Sequence, residues 1–294
     1  MHALHFTTTR PARTVAAAAA LALTLSLSPA ALAETGTFES AGVPLHFVDE
    51  GEGEPVIYLH GFAGSSTLWS AAGLMPLEGF RTIAFDARGH GQSGKPEAVA
   101  DYGDALVDDV IRLMDARGVT AAHVVGYSMG AETALKLATT HPERVLSVVA
   151  AGSGWSGDEE AQAYGFIAGA LGEVGSFGEF MVAMSPPDQE LPPEAQAAMM
   201  ELLGAHGIDP AQPSAPLAAV AAGLPEIISI EATALEAVNV PMLGIAGSDD
   251  PERSNVEALA ALPNATVTII PETDHLTAPV TPAFAAVITG FLAD

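Results

Sequence analysis

Continuous apolar runs recur along the chain from Glu34 onward, and helical patterns separate them. The runs lie at 55–59, 80–85, 122–127, 145–151, 240–246 and 265–270. Their lack of alternation is typical of strands that are buried on both faces of a parallel sheet. Residues 35–49 predict a hairpin that turns at Ala41 and Gly42, and residues 102–117 carry apolar side chains at helical spacing. The pattern predicts a doubly wound α/β fold.

The pattern changes between about residues 155 and 237. This segment contains several closely spaced prolines and one strand-like pair, Ile227 and Ile228. Proline interrupts a helix but is tolerated in its first turn, so the segment predicts several short helices joined at prolines. Because the sheet pattern resumes afterwards, we expect a helical cap inserted after the sixth strand of one domain, rather than a separate domain.

The N-terminus has the organisation of an export signal. Two arginines precede an apolar run at 15–27, and small residues follow at 31–33. The run has about 13 residues, fewer than the roughly 20 that a membrane-spanning helix needs. We therefore expect a cleaved signal peptide over residues 1–33, a mature domain over 34–294 and a periplasmic or extracellular location, without stable membrane insertion.

Composition narrows the possible partners. The chain carries 36 Asp and Glu against 10 Lys and Arg, a formal net charge of −26, and loss of the signal peptide makes the charge −28 because it removes two arginines. Nucleic acid is an improbable partner, since its phosphates require clustered basic residues. The chain has no cysteine, which excludes disulfides and thiolate chemistry. It also lacks a His-Glu-x-x-His motif, so we expect no metal, no cofactor and a small-molecule partner.

A serine flanked by glycines connects one predicted strand to a helix. Gly126 and Gly130 lie two positions on either side of Ser128, between the run at 122–127 and a helical pattern over 131–140. Small residues are needed at these positions because a tight strand-to-helix turn brings other backbone close to them. Such a turn presents the serine hydroxyl above the carboxyl end of the sheet, next to the N–H groups of the helix start.

A serine hydroxyl becomes a good nucleophile only when a base removes its proton and an acid orients that base. Asp249 and Asp250 follow the run at 240–246, and His275 follows the run at 265–270. An acid and an imidazole are thus predicted at the carboxyl ends of strands, where open α/β sheets bind their ligands.

These motifs together resemble those of the α/β-hydrolase family over essentially the whole mature chain. His60-Gly61-Phe62 is similar to the family's oxyanion-loop motif, and residues 86–93 are similar to its signature after the fourth strand. The resemblance implies a mostly parallel, eight-stranded sheet with helices on both faces and a helical cap.

The resemblance also implies the role of each site residue. Ser128 would be the nucleophile, His275 the base and Asp250 the acid, and the backbone N–H groups of Phe62 and Met129 would form the oxyanion hole. The family's spacing favours Asp250, while its neighbour Asp249 stays open as the alternative acid.

The serine nucleophile favours acyl transfer. Haloalkane dehalogenases and epoxide hydrolases of this fold attack with an aspartate, and export disfavours carbon–carbon bond hydrolysis and coenzyme A thioesters. We therefore expect a carboxylic-ester or lactone hydrolase. Alternatives are an aminopeptidase of the same fold, a haloperoxidase- or perhydrolase-like enzyme, and a non-catalytic ligand receptor. An aminopeptidase would bind the free amino terminus through cap carboxylates, for which the candidates are Glu159, Glu160, Glu173 and Glu179.

The remaining polar and apolar residues have simpler expected roles. Asp86 and Arg88 are expected to pair with each other or to cap turns. Four aspartates are expected on the solvated face or first turn of the helix within 102–117; they are Asp101, Asp104, Asp108 and Asp109. Candidates for an apolar pocket in the cap are Trp155, Tyr164, Phe166, Phe177, Phe180, Met181, Met184, Met199 and Met200.

Overall fold

Eight strands form one sheet in the computed structural model, which describes residues 33–155, 158–185 and 192–293. The strands are β1 (Glu34–Ser40), β2 (Val43–Gly51), β3 (Glu54–Leu59), β4 (Phe80–Phe85), β5 (Ala122–Tyr127), β6 (Val145–Ala151), β7 (Met242–Gly247) and β8 (Ala265–Ile270). Their order across the sheet is β1-β2-β4-β3-β5-β6-β7-β8. The pairings of β2 with β1 and with β4 are antiparallel, and the other five pairings in the sheet are parallel. The predicted α/β fold is confirmed, while the predicted signal peptide, apart from Ala33, lies outside the described residues.

The strands alternate their side chains between two cores. Val56 and Tyr58 of β3 face one core, and Ile57 and Leu59 face the other. The helices are α1 (Thr67–Ala71), α2 (Ala105–Ala116), α3 (Met129–Thr140), α4 (Asp158–Gly172), α5 (Phe177–Met184), α6 (Pro193–Ala205), α7 (Ser214–Gly223), α8 (Pro225–Ile228), α9 (Ala232–Glu236), α10 (Arg253–Ala258) and α11 (Pro282–Ala293). Helices α2 and α3 cover one face of the sheet, and α1 and α11 cover the other.

Helices α4 to α9 occupy the segment between β6 and β7, where the cap is predicted. Prolines lie at the starts of α6 and α8, as expected for short helices with proline-marked joints. The strand-like pair Ile227 and Ile228 instead belongs to α8, because Pro225 begins a helical turn there. A small apolar core that includes Leu171, Phe177 and Leu217 joins this segment to Ala63, in the loop after β3.

The expectation that Asp109 is solvated is wrong, and of the two roles expected for Asp86 and Arg88 the structure shows turn capping by Asp86 but not a mutual pair. Asp109 of α2 is fully buried and not solvated. Its carboxylate accepts two hydrogen bonds from Arg88, at 2.7 Å from Nε and 2.5 Å from Nη2. Arg88 therefore pairs with Asp109 and not with Asp86, whose carboxylate accepts the backbone N–H groups of Ser66 and Gln92 at 2.8 Å each. Helical spacing places Asp109 one turn from apolar neighbours. It cannot predict that Asp109 is buried, because the Arg88 guanidinium that pairs with it comes from a different loop.

Candidate active site

Ser128 lies on the turn between β5 and α3 in an unusual backbone conformation. Its φ is 53° and its ψ is −120°, a combination that costs energy for a residue with a Cβ. The flanking glycines allow the turn. A Cβ on Gly126 would lie 2.1 Å from the carbonyl oxygen of Gly130, and one on Gly130 would lie 2.1 Å from that of Leu59. The turn therefore needs glycine at both positions.

The structure brings Ser128, His275 and Asp250 within hydrogen-bonding distance. The Ser128 Oγ and the His275 Nε2 are 3.1 Å apart, and the His275 Nδ1 lies 3.1 Å from each carboxylate oxygen of Asp250. Because a carboxylate only accepts, Nδ1 carries the proton that it donates to Asp250, which leaves Nε2 free to accept the serine proton. The Asp250 side chain is completely shielded from solvent.

Asp249, the alternative acid, points elsewhere. It is exposed, and its carboxylate lies 3.4 Å from the neighbouring Ser248 hydroxyl. Its backbone N–H donates to the Thr273 carbonyl at 2.9 Å, which ties the loop after β7 to the loop that carries His275. Of the two adjacent aspartates, only Asp250 contacts His275.

The loop after β3 places Phe62 beside the serine. A Cβ on Gly61 would lie 3.3 Å from the Ser128 Cβ, so the loop backbone passes directly over the serine. His60 holds the loop, because its Nε2 accepts the Ala87 N–H at 3.0 Å and its Nδ1 donates to the Gly61 carbonyl at 2.8 Å. Burial lowers the pKa of His60, which keeps the ring neutral as both bonds require.

The inserted helices hold the same loop from the other side. The Gln212 side-chain amide donates to the Ala63 carbonyl at 2.8 Å. The Ser65 N–H donates to the carbonyl of His206, just after α6, at 3.1 Å. Met129, the other residue of the predicted oxyanion hole, is the first residue of α3, where helical N–H groups lack partners within the helix.

Two further side chains hold the loop that carries His275. The Tyr127 hydroxyl donates to the carbonyl of His275, and the His206 Nε2 donates to the carbonyl of Leu276 at 2.8 Å. Both side chains are buried, which raises the pKa of Tyr127 and lowers that of His206. Neither role was predicted from the sequence. Tyr127 lies inside the serine motif and could have been suspected, whereas no sequence signal distinguishes His206.

Ser128 and His275 open into an apolar cavity of about 390 Å³ between the sheet and the inserted helices. Its walls also include Phe62, Ala163, Tyr164, Ile167, Phe177, Met181, Leu203, Ile208, Pro251, Glu252 and Leu276. Three of the pocket candidates, Tyr164, Phe177 and Met181, line it. Three other candidates are not among its walls and have exposed side chains; they are Phe166, Met184 and Met200.

The two described carboxylates among those proposed for binding an amino terminus do not line the cavity. Glu173 and Glu179 are exposed, and the Glu179 carboxylate accepts the Gly175 N–H at 2.8 Å at the start of α5. The side chains of Glu159 and Glu160 lie outside the described residues. Glu252, which the sequence analysis did not single out, is the acidic residue among the described cavity walls.

Residues 33–155, 158–185 and 192–293 contain neither a metal-binding group of side chains nor a membrane-spanning helix. No three or more His, Asp or Glu side chains in these ranges are grouped as a metal ion would require. No helix in the same ranges is both long enough and apolar enough to cross a bilayer.

Comparison with known proteins places this geometry in a family. A sequence profile of the alpha/beta hydrolase fold matches residues 54–278, which is more than half of the chain. A candidate carbamate hydrolase, RutD, from Caulobacter sp. (strain K31) is 35% identical over 127 residues, which cover 42% of this chain and 46% of that protein. The chain spans less than half the length of the curated relatives it matches.

Solved structures match over a longer region. A hydrolase from Pseudomonas aeruginosa PA01 has a TM-score of 0.73 and 24% identity, and the match covers 88% of this chain and 98% of that one. A thermophilic esterase from Thermogutta terrifontis has a TM-score of 0.71 and 25% identity over 90% of this chain and 98% of that one. The profile match, the sheet order and the similarity of these structures agree, and the chain belongs to the alpha/beta hydrolase fold family.

Proposed function

We propose that this protein is a serine hydrolase that cleaves a carboxylic ester or lactone through an acyl-enzyme. The observation that carries the proposal is the hydrogen-bonded series from Asp250 through His275 to Ser128, which ends at the wall of an apolar cavity. A nucleophile, a base and an orienting acid at these distances are what acyl transfer to a serine requires.

In the first half-reaction Ser128 Oγ attacks the ester carbonyl carbon while His275 Nε2 takes the hydroxyl proton. The resulting imidazolium is stabilised by the buried Asp250 carboxylate. The negative charge on the substrate oxygen would be stabilised by the backbone N–H groups of Phe62 and Met129, and one such donor is worth about 3 kcal/mol in the transition state. His275 then donates its proton to the leaving alkoxide, and the alcohol departs.

In the second half-reaction His275 takes a proton from water, and the resulting hydroxide attacks the acyl carbon. Collapse of this intermediate breaks the bond to Ser128 Oγ, which recovers its proton from His275. The carboxylic acid leaves and the enzyme returns to its starting state. A lactone follows the same steps, except that its alcohol and acid remain parts of one product.

Several observations favour the ester or lactone over other bonds. Ser128 is a serine, whereas epoxide hydrolases of this fold attack with an aspartate. The cavity is mostly apolar, which suits an alkyl or aryl substituent. Similarity to an esterase structure supports the same class. The exposed positions of Glu173 and Glu179 give the aminopeptidase alternative no support.

Nitrophenyl esters of short and medium acids test the proposal. We expect repeated turnover by the wild-type protein, and loss of nearly all activity in Ser128→Ala at unchanged thermal stability. An alkyl fluorophosphonate should add one phosphonyl group to Ser128 in the wild type and none in the variant, as measured by peptide mass. Absence of turnover, or faster release from an amino-acid anilide than from a matched ester, would contradict the proposal.

We also propose that the protein acts outside the cytoplasm. The signal pattern over residues 1–33 supports export, and β1 begins at Glu34, directly after the expected cleavage site. Intact mass of the protein recovered from the exported fraction should correspond to a chain that begins at Glu34. Recovery of the full-length chain from the cytoplasm alone would contradict export.

A further inference from the structure

Two cavities of very different size meet at the candidate nucleophile. The large chamber is the cavity of about 390 Å³ described above. The small chamber has a volume of about 40 Å³ and is lined by Gly61, Gly64, Tyr127 and His206, among others. Ser128 and His275 line both chambers. A carbonyl carbon bonded to Ser128 would therefore have room for a large substituent in one chamber and little room in the other.

The walls of the small chamber are closely packed backbone and hydrogen-bonded side chains. A Cβ on Gly64 would lie 2.9 Å from the His206 carbonyl oxygen, and one on Gly61 would lie 3.3 Å from the Ser128 Cβ. The Tyr127 hydroxyl and the His206 ring are each hydrogen-bonded to carbonyls of the loop that carries His275. On this side the chamber cannot widen without breaking these contacts, whereas the side chain of Ile208 forms another part of its wall.

The volume of the small chamber limits what it can hold. A cavity needs about 10–15 Å³ for one water molecule, so about 40 Å³ holds roughly three groups of that size. Two or three carbon atoms fill it. A chain of four or five carbons would have to displace the packed wall, whereas the large chamber has about ten times the volume.

We infer that the substrate is an unsymmetrical ester, with at most two or three carbons on one side of the ester bond and a long apolar chain on the other. This inference rests on the proposed ester hydrolysis and adds its substrate class. Either the acid or the alcohol can be the short side, since both substituents are attached to the same carbonyl group.

A residue that lines both chambers allows the inference to be tested by mutation. Ile208 lines both chambers, whereas Ile167 lines only the large one. Both isoleucines are half-buried, so the same substitution by alanine should perturb the fold to a similar extent. Ile208→Ala enlarges the small chamber where it meets the large one, and Ile167→Ala enlarges only the large chamber.

The inference can be tested by comparing kcat/KM for three esters that are constitutional isomers. Methyl nonanoate, octyl acetate and pentyl pentanoate have the same composition and differ in where the ester bond divides the chain. We expect kcat/KM for pentyl pentanoate to be at least about tenfold lower than that for the better of the other two, because overfilling a rigid pocket has an effect of this order. A higher kcat/KM for methyl nonanoate would indicate that the acyl chain binds in the large chamber. A higher value for octyl acetate would indicate that the alkyl chain of the alcohol binds there.

The variants complete the test. Ile208→Ala should reduce the difference between pentyl pentanoate and the preferred isomer to about threefold or less, while Ile167→Ala should change the three rates together. Equal rates for all isomers with the wild type overturn the inference, as does a difference that Ile167→Ala removes as well as Ile208→Ala. If Ile208→Ala fails to fold, the wild-type comparison decides.

Failure of the inference is distinguishable from failure of the proposed function. If nitrophenyl acetate is hydrolysed and the three isomers are not discriminated, ester hydrolysis stands and the inference is wrong. If neither nitrophenyl acetate nor any isomer is hydrolysed, the proposed function is wrong and the inference falls with it.

Discussion

The hydroxyl of Tyr127 donates a hydrogen bond to the backbone carbonyl of His275. Tyr127 is the residue before Ser128, and the two rings of Tyr127 and His275 lie 5.3 Å apart between their centres. The strand that presents the candidate nucleophile therefore also holds the loop that presents the candidate base. We therefore expect loss of this hydrogen bond to alter the distance between the Ser128 Oγ and the His275 Nε2.

Tyr127→Phe should lower kcat by about tenfold while changing KM little. The substitution removes one buried hydrogen bond, worth about 1 kcal/mol of stability, and leaves the aromatic packing intact. The loss of kcat follows because the carbonyl of His275 then loses its own anchor, while the His206 bond to the Leu276 carbonyl remains, so His275 is held less closely to Ser128. Kinetics on a nitrophenyl ester and thermal unfolding measure the two effects.

Tyr58→Phe is a matched control for that variant. Tyr58 is also buried in the core on the Tyr127 side of the sheet, and its hydroxyl donates to the Leu74 carbonyl at 3.0 Å. We expect a similar loss of stability and an unchanged kcat. Equal effects of the two substitutions on kcat would show that the Tyr127 hydroxyl does not position His275.

Asp250→Asn and Asp249→Asn should differ greatly in activity although the residues are adjacent. Asparagine at 250 can donate to His275, which favours the ring form whose Nε2 carries the proton and cannot accept one from Ser128. We expect kcat to fall by at least about a thousandfold. Asp249 is exposed and contacts Ser248, so its variant should retain kcat within about threefold. The reverse order would assign the acid to Asp249.

The buried ion pair of Arg88 and Asp109 should contribute strongly to stability. Asp109→Asn leaves the Arg88 guanidinium buried without its carboxylate, and breaking such a pair costs about 3–5 kcal/mol of unfolding free energy. Glu257→Gln is the comparison, because it breaks the exposed pair with Arg253 within α10 and should leave stability nearly unchanged. Urea unfolding measures both, and similar small effects would contradict the prediction.

Stability should fall as the pH drops below about 6.5. Burial lowers the pKa of three histidines in the folded protein, and the pKa of His90 is lowered to about 3; the three are His60, His90 and His206. The unfolded state then binds more protons than the folded state below the ordinary histidine pKa of 6.5. For His90, whose pKa in the folded protein is about 3, this difference costs about 1.4 kcal/mol of unfolding free energy per pH unit below 6.5, and His60 and His206 act in the same direction.

His90→Asn tests how much of this pH dependence of stability comes from His90. The asparagine side-chain amide can replace the His90 Nδ1 that lies 2.9 Å from the Arg88 carbonyl, but it does not titrate. Between pH 6 and pH 5 the slope of unfolding free energy against pH should decrease by about 1.4 kcal/mol per unit. Carboxylates titrate mainly below this range. An unchanged slope would mean that His90 is not the group responsible.

Much of the fold could be predicted because its signals are local. Apolar runs predicted six of the eight strands to within two residues, and the turn at Ala41 and Gly42 is a two-residue hairpin in which both residues have positive φ. The same kind of signal gave a wrong prediction at Ile227 and Ile228. Their apolar β-branched side chains are typical of a strand, but Pro225 starts a helix there. As part of α8, this pair is buried against α3 and α4, so the same apolar side chains suit a helix as well as a strand.

The sequence by itself determined the parallel sheet, the insertion between β6 and β7, and the positions of Ser128 and His275 at strand ends. These features depend on spacing between near neighbours, such as the glycines that a Cβ would exclude. Only the tertiary structure decided that Asp250 and not Asp249 contacts His275 and that the Arg88 guanidinium pairs with Asp109. It alone also showed that Tyr127 and His206 hold the base loop. Each of these contacts joins segments far apart in the chain, and which of them meet is determined by packing of the whole core.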